Sequence, residues 1–279
     1  MSVLGNLLIG MFITSVAQVD EVADFSNAVA FQPANMAQME EYLIAIDNRM
    51  DAVISIDAYF YDVVFERYVV KDPRLLQDAI DESGHTRRVV LLFDEPLWKM
   101  RRLVNSDYLH DETLETLEAI VAQYKSFEFM HIEAYSDLYQ QYNDTGSVRM
   151  LYSAHYLGFD CYGPFMSCGD NTVGKASQPY VLDLLHKAIV ENASAAQIML
   201  IPGTFLDEKQ IHYKDGEQLV TQFLRYMDIV NKNSSIIGGI GGFAWGTMGN
   251  SSNVFTGARN IPWLRGVIQH QFQKLLRIE

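Results

Sequence analysis

Four carboxylates and four aromatic side chains of this 279-residue chain stand where short apolar runs give out. Asp57 and Tyr59 close one such run, Glu95 follows a second, Glu133 and Tyr135 end a third, and Asp160 and Tyr162 end a fourth. Trp245 ends the last one. Acids and aromatic rings gathered on one rim are the residue types that sugar chemistry requires. Sugar rings present apolar C–H faces that stack on aromatic side chains, and their hydroxyls bond to carboxylates. Cleavage of a glycosidic bond needs one carboxylic acid to protonate the leaving oxygen and usually a second carboxylate as nucleophile or base. A glutamate crowded by other acids and by rings keeps its proton to higher pH, which suits a donor near neutrality. The expected roles are therefore Glu95 as general acid, Asp160 or Glu133 as base or nucleophile, and Asp57 as a sugar-binding or supporting acid. Tyr59, Tyr135, Tyr162 and Trp245 are expected to be stacking platforms.

Other constellations are weaker. His131 and Glu133 are two apart, which puts both on one face of a strand as half of a metal site. The chain has no His-x-His, His-Glu-x-x-His or paired-cysteine motif to complete it, so a metal-dependent hydrolase is the third-ranked reading, and neither metal nor cofactor is expected. Cys161 and Cys168 flank Gly163-Pro164 and fit either a small disulfide or two thiols. The glycines of Gly238 to Gly242 lead into a strand rather than from a strand to a helix, which marks close backbone packing more than a phosphate cradle.

The elements that must position these residues alternate in type. Strand-like runs recur at Leu7–Thr14, Ala28–Gln32, Ala52–Tyr59, Arg88–Asp94, Glu128–Tyr135, Leu157–Tyr162, Gln197–Gly203 and Gly238–Trp245. Segments with helical spacing lie between them, such as Met36, Met39, Leu43 and Ile46 after a cap at Asn35, and Leu114, Leu117, Val121 and Tyr124 after a cap at Asp111. Strands alternating with helices imply parallel pairing, and eight such units in a chain of this length predict a closed (β/α)8 TIM barrel, an α/β fold spanning 1–279 as one domain. In such a barrel the chemistry sits on the loops that follow the strands. An open doubly wound sheet would carry a glycine-rich turn after its first strand, and here that turn reads Thr14-Ser15-Val16-Ala17.

The count depends on the first run. Leu4 to Val16 with Ser15-Val16-Ala17 also has the outline of a signal peptide, but no Lys or Arg precedes it and Gly5, Asn6 and Gly10 interrupt it. Read as a buried strand it brings the total to eight.

Composition bounds the partners. The chain carries 21 Lys+Arg against 35 Asp+Glu, a net charge of −14, which disfavours nucleic acid and anionic membranes as partners. Its 15 Phe, 15 Tyr and 3 Trp are too many for a chain that never packs. A carbohydrate substrate is the expected partner. Compartment stays open between export behind a removed leader and the cytoplasm, and oligomeric state is open as well.

The motifs carry a resemblance. Asp94-Glu95-Pro96 resembles the Asn/Asp-Glu-Pro signature of the (β/α)8 glycoside hydrolases, whose Glu is the general acid/base. Trp245 resembles the tryptophan that floors the sugar subsite in the same superfamily, and Gly158-Phe159-Asp160-Cys161-Tyr162-Gly163 is similar to a sixth-strand pattern in which an Asp and a Tyr face the sugar. The resemblance implies an O-glycosyl hydrolase acting on an oligo- or polysaccharide. One departure stands out: retaining members place a nucleophilic Glu at the end of strand seven, where this chain has Gly203-Thr204-Phe205, with Asp207 further out. Either strand five or six supplies the second carboxylate, or the substrate supplies its own nucleophile as in chitinase-like barrels, or the barrel binds sugar without cutting it.

Overall fold

The structure is a computed structural model that describes residues 7–104, 108–162, 181–207, 216–250 and 253–277. Eight parallel strands close a barrel in sequence order: β1 (Leu8–Phe12), β2 (Ala28–Phe31), β3 (Asp51–Ser55), β4 (Val89–Asp94), β5 (Glu128–Ala134), β6 (Tyr156–Cys161), β7 (Gln197–Pro202) and β8 (Ile237–Gly242). The fold is the (β/α)8 barrel that the alternation predicts. The N-terminal apolar run is the strand that makes closure possible, since β1 pairs with β8 on one side (Leu8 beside Gly239) and with β2 on the other (Gly10 beside Ala28).

Strand alternation sorts the side chains into two cores. Leu8, Ala28, Val53, Val90, Leu92, Met130, Ile132, Tyr156 and Met199 fill the barrel interior. The intervening residues, among them Ile9, Val29, Ile54, Leu91, Phe93 and Phe129, pack outward under the helices. The interior is tight on the β6 side: a Cβ on Gly158 would lie 2.4 Å from the Met199 carbonyl oxygen. Only glycine fits there.

The helices behave as their spacing requires. Asn35 caps Met36–Ile46 by accepting the Gln38 N–H at 2.9 Å, and the helix buries Met39, Tyr42, Leu43 and Ile46. The helix expected to start after Asp111 begins at Tyr108, so Asp111 lies inside its first turn. Two features at the loop end were not foreseen: a hairpin after β3 (Tyr61–Asp62 with Arg67–Tyr68) and a three-stranded antiparallel sheet of Phe205–Asp207, Asn253–Gly257 and Met248–Asn250. Among the described residues no helix is long and apolar enough to cross a membrane. The Cys161–Cys168 question falls outside the described residues.

Candidate active site

The site is built at the corner where β4 turns into the helix Pro96–Val104. Val90, Leu92 and Asp94 alternate inward along β4, so Glu95, one residue on, would face away from the barrel if the strand continued. It does not continue. Glu95 has φ of 54°, a left-handed conformation that costs a non-glycine residue about 1–2 kcal/mol. Pro96 then begins the helix with its fixed φ. The left-handed turn carries the Glu95 carboxyl back over the barrel mouth, where it hydrogen-bonds to Asp160 of β6.

Asp160 is inward on β6, in phase with Tyr156 and Gly158, and is 4% exposed. The Tyr162 hydroxyl donates to it. Burial pushes the Asp160 carboxyl well above the ordinary range, and the neighbouring Glu95 adds to the rise. Glu95 is pushed up to about 7, mainly by burial and then by the charge of Asp94. Two acids in contact in a dry setting hold one proton between them near neutral pH. That arrangement can donate a proton and keep a carboxylate beside it.

Asp57 stands behind this pair rather than in the mouth. The chain leaves β3 at Ser55, and Asp57–Phe60 is a helical turn, so the strand expected to run to Tyr59 ends earlier. Asp57 Oδ1 accepts the Tyr68 hydroxyl at 2.6 Å, and its Oδ2 accepts the Asp94 N–H at 3.0 Å and a proton of Lys99 Nζ at 3.2 Å. Lys99 also donates to the Asp94 carbonyl oxygen and lies 3.3 Å from the Asp94 carboxylate. Burial raises Asp57 and the Lys99 charge lowers it, with the rise prevailing. Asp57 is thus a supporting acid that anchors the end of β4.

Glu133 is a correction. Met130 and Ile132 are the inward residues of β5, so Glu133 faces outward and is fully buried beneath the helix that follows β4. Its Oε1 accepts the Leu97 N–H at 2.8 Å and its Oε2 the Trp98 N–H at 3.2 Å, which caps a helix it does not belong to. His131 contacts it at 2.9 Å through Nε2, while His131 Nδ1 accepts the Leu151 N–H at 2.9 Å. Since a backbone N–H can only donate, Nδ1 is unprotonated and Nε2 carries the hydrogen given to Glu133. Burial lowers His131 to about 3, so the ring is neutral, and burial pushes Glu133 up. The His131–Glu133 pair is a packed tether with both ring nitrogens engaged, not half of a metal site on the rim. Among the described residues no group of three or more His, Cys, Asp or Glu is placed to hold a metal ion.

The aromatic assignments divide. Tyr162 lines the mouth, stacked on Phe243 with ring centroids 5.1 Å apart. Trp245 does not: it is 1% exposed, packs on Phe25 outside the barrel, and donates Nε1–H to Glu21 at 3.0 Å. Tyr59 lies to the side, its hydroxyl on the Asp72 carbonyl at 3.3 Å and its ring under Lys71. Tyr135 opens the helix after β5 and stacks on Tyr139 at 6.0 Å. The missed aromatics are Phe12 and Phe243, in contact at 5.0 Å. Both continue the inward phase of β1 and β8, a signal present in the sequence. The resulting mouth is a narrow cavity of about 50 Å³ with Phe12, Ala30, Asp94, Asp160, Tyr162 and Phe243 in its lining. Lys99 and Tyr68 were also missed; Lys99 is four residues after Glu95, in the first turn of the helix that Pro96 opens.

The end of β7 brings Gly203 and Thr204, the latter buried with its hydroxyl donating to the Ala244 carbonyl at 3.3 Å. Asp207 lies on the strand Phe205–Asp207, paired with Phe255.

No protein-family model matches the chain, and no curated protein matches it. Solved structures do. The chain is similar to a calcium-binding mutant of Bacteroides uniformis beta-glucuronidase 2, at 12% identity and a TM-score of 0.51 over 88% of this chain and 31% of that one. It is also similar to an endo-beta-1,3-glucanase from Amycolatopsis mediterranei (12% identity, TM-score 0.47, 86% and 89% covered). A third is an endo-1,4-beta-xylanase from Caldicellulosiruptor owensensis (13%, 0.45, 86% and 85%). At 12% identity, the likeness to the beta-glucuronidase is one of fold alone.

Proposed function

We propose that this barrel hydrolyses O-glycosidic bonds of a carbohydrate, with Glu95 as general acid and Asp160 as its partner carboxylate. The observation that carries the reading is the hydrogen-bonded Glu95–Asp160 pair at the loop end of the barrel, two buried acids that both hold protons more tightly than usual beside an aromatic wall of Tyr162, Phe243 and Phe12. Glu95 gives its proton to the glycosidic oxygen as the C–O bond breaks. Because acids that flank a glycosidic bond stand about 5–10 Å apart, the step requires the two carboxyls to part as the sugar enters between them. The positive charge that develops on the ring then falls next to Asp160, which is ionised once the shared proton has left. Water then attacks the anomeric carbon, Asp160 accepts its proton, and the hydrogen bond between the two acids returns that proton to Glu95. The net change is addition of one water across the bond. Because β7 is followed by Gly203 and Thr204, the proposal places the second carboxylate on β6.

A panel of polysaccharides and aryl glycosides, run with the wild type beside Glu95→Gln and Asp160→Asn, tests it. Sugar release by the wild type that is lost in both variants is the expected outcome. Release that survives Glu95→Gln overturns the acid. Sugar binding without release in the wild type makes the protein a carbohydrate-binding barrel instead.

A further inference from the structure

Glu95 reaches Asp160 only because its backbone is left-handed, so whatever holds that corner also places its carboxyl. The corner is bracketed on both sides. Upstream, Asp94 gives its N–H to Asp57 at 3.0 Å, and its carbonyl takes the Lys99 ammonium. At the turn itself, the Glu95 N–H donates to the Ile132 carbonyl at 2.8 Å, and the Glu95 carbonyl takes the Lys99 N–H at 3.0 Å. Downstream, Pro96 has no N–H, and the next two, Leu97 and Trp98, end on Glu133. Glu133 is in turn fixed by the His131 ring, which is fixed by the Leu151 N–H. A run of five residues is thus held by the Glu133 and Asp57 carboxylates, the Ile132 carbonyl and the Lys99 ammonium.

We infer that Glu133 and Lys99 are positioning residues for Glu95: Glu133 fixes the helix start that forces the left-handed turn, and Lys99 ties that turn to Asp94 and Asp57 while presenting a positive charge to the site. Neither touches the barrel mouth in the way a reacting group must. Their actions on the Glu95 carboxyl are opposite in sign. The Lys99 charge favours the carboxylate. The burial that the Glu133-held turn imposes on the carboxyl favours the acid, as does the Glu133 charge itself, while the hydrogen bond to Asp160 favours the carboxylate. The charged and titratable groups facing Glu95 are Asp94 from β4, Lys99 from the helix, Glu133 from β5, Asp160 from β6 and Tyr162 just beyond it. The assignment of Glu95 as the acid rests on the reading above, whereas its placement by Glu133 and Lys99 does not require that the protein cut sugar.

The test is a carboxyl-carbon NMR titration of the full chain, with the Glu95 signal identified by its loss in Glu95→Gln. Lys99→Met keeps the side-chain stem and removes the charge; Glu133→Gln keeps the shape and removes one acceptor. Thermal melts confirm that both variants fold. Lys99→Met is expected to move the Glu95 midpoint up by roughly one pH unit. Glu133→Gln is expected to move it down by a similar amount, toward an exposed carboxylate. Glu133→Asp keeps the charge and shortens the reach to the Leu97 and Trp98 N–H groups, so it is expected to move the midpoint down as well; a midpoint that moves in Glu133→Gln but stays put in Glu133→Asp reports the lost charge alone and overturns the positioning role. Shifts in the same direction for Lys99→Met and Glu133→Gln are what general loosening gives, and they overturn the inference, as do midpoints that stay put. Absence of hydrolysis in the wild type sinks the proposed function and leaves this titration readable.

Discussion

The Glu95 carboxyl, carried past the end of β4 by a left-handed residue, hydrogen-bonds to Asp160 at the end of β6, across the intervening strand that bears Ile132 and Ala134. Neither acid keeps its ordinary proton affinity in that position. Both are raised, first by withdrawal from water; the Asp94 charge adds to the rise at Glu95 and the Glu95 charge to that at Asp160, while the hydrogen bond between them favours the ionised form of Glu95.

If these two acids do the chemistry, removing either costs the rate far more than the fold. Glu95→Gln and Asp160→Asn are each expected to lower kcat by roughly 10²–10⁴-fold, the usual contribution of a positioned acid or base. Both are expected to retain the melting behaviour of a folded barrel. Steady-state kinetics on whichever glycoside the panel identifies, with circular-dichroism melts alongside, checks both halves.

The same pair sets a stability slope. Glu95 is raised from 4.5 to about 7, so between those values the folded chain holds a proton that the unfolded chain has released. Its contribution to stability is full below pH 4.5 and is lost as pH rises through 7, a change on the order of 3 kcal/mol at about 1.4 kcal/mol per unit. Glu95→Gln has no such proton to lose. Urea unfolding at pH 5 and pH 8 is expected to show the variant gaining on the wild type at the higher pH. An equal difference at the two pH values rules the slope out.

Tyr68 probes the anchor under β4. Its hydroxyl is a short donor, at 2.6 Å, to an Asp57 that is buried and also holds the Asp94 N–H. Tyr68→Phe leaves Asp57 Oδ1 short of a partner and is expected to cost about 1–3 kcal/mol. A denaturant midpoint unchanged from wild type would mean that water replaces the hydroxyl.

Trp245 and Phe243 are expected to part company under mutation. Trp245→Phe removes the bond to Glu21 and leaves space against Phe25, so it lowers Tm while leaving KM nearly untouched. Phe243→Ala opens the aromatic wall at the mouth and is expected to raise KM several-fold with a smaller fall in Tm. Calorimetric melts and Michaelis–Menten curves on the two variants decide which tryptophan or phenylalanine meets the ligand.

Gly158 tests the barrel interior. A Cβ there would lie 2.4 Å from the Met199 carbonyl oxygen and 2.5 Å from Ile132 Cδ1, with backbone on one side that cannot move aside cheaply. Gly158→Ala is expected to cost about 3 kcal/mol or more. Yield of folded protein and Tm read the effect.

Period-two apolar runs separated by period-3.6 stripes are local properties, which is why the eight strands, the barrel they close and the cap at Asn35 could be read from the order of residues alone. The resemblance at Gly158 to Gly163 pointed to Asp160 and Tyr162, and both line the mouth in the structure. What the order of residues could not supply was where each strand stops. Tyr59, Tyr135 and Trp245 were placed on strand ends, but the chain leaves the strand before each of them, and past that point alternation no longer says which way a side chain points. Glu133 was assigned to the rim by its distance from the end of β5; its outward phase and the helix N–H groups waiting there are facts of packing between β5 and the element after β4. Glu95 shows the reverse: strict alternation would turn it outward, and one left-handed backbone angle, held by residues 38 positions downstream and four positions along the helix, brings it to Asp160. Local pattern determined the elements and the chemistry they carry. The meeting of one acid with another was decided by the tertiary fold, because a carboxyl's neighbours and proton affinity depend on through-space contacts that sequence spacing does not measure.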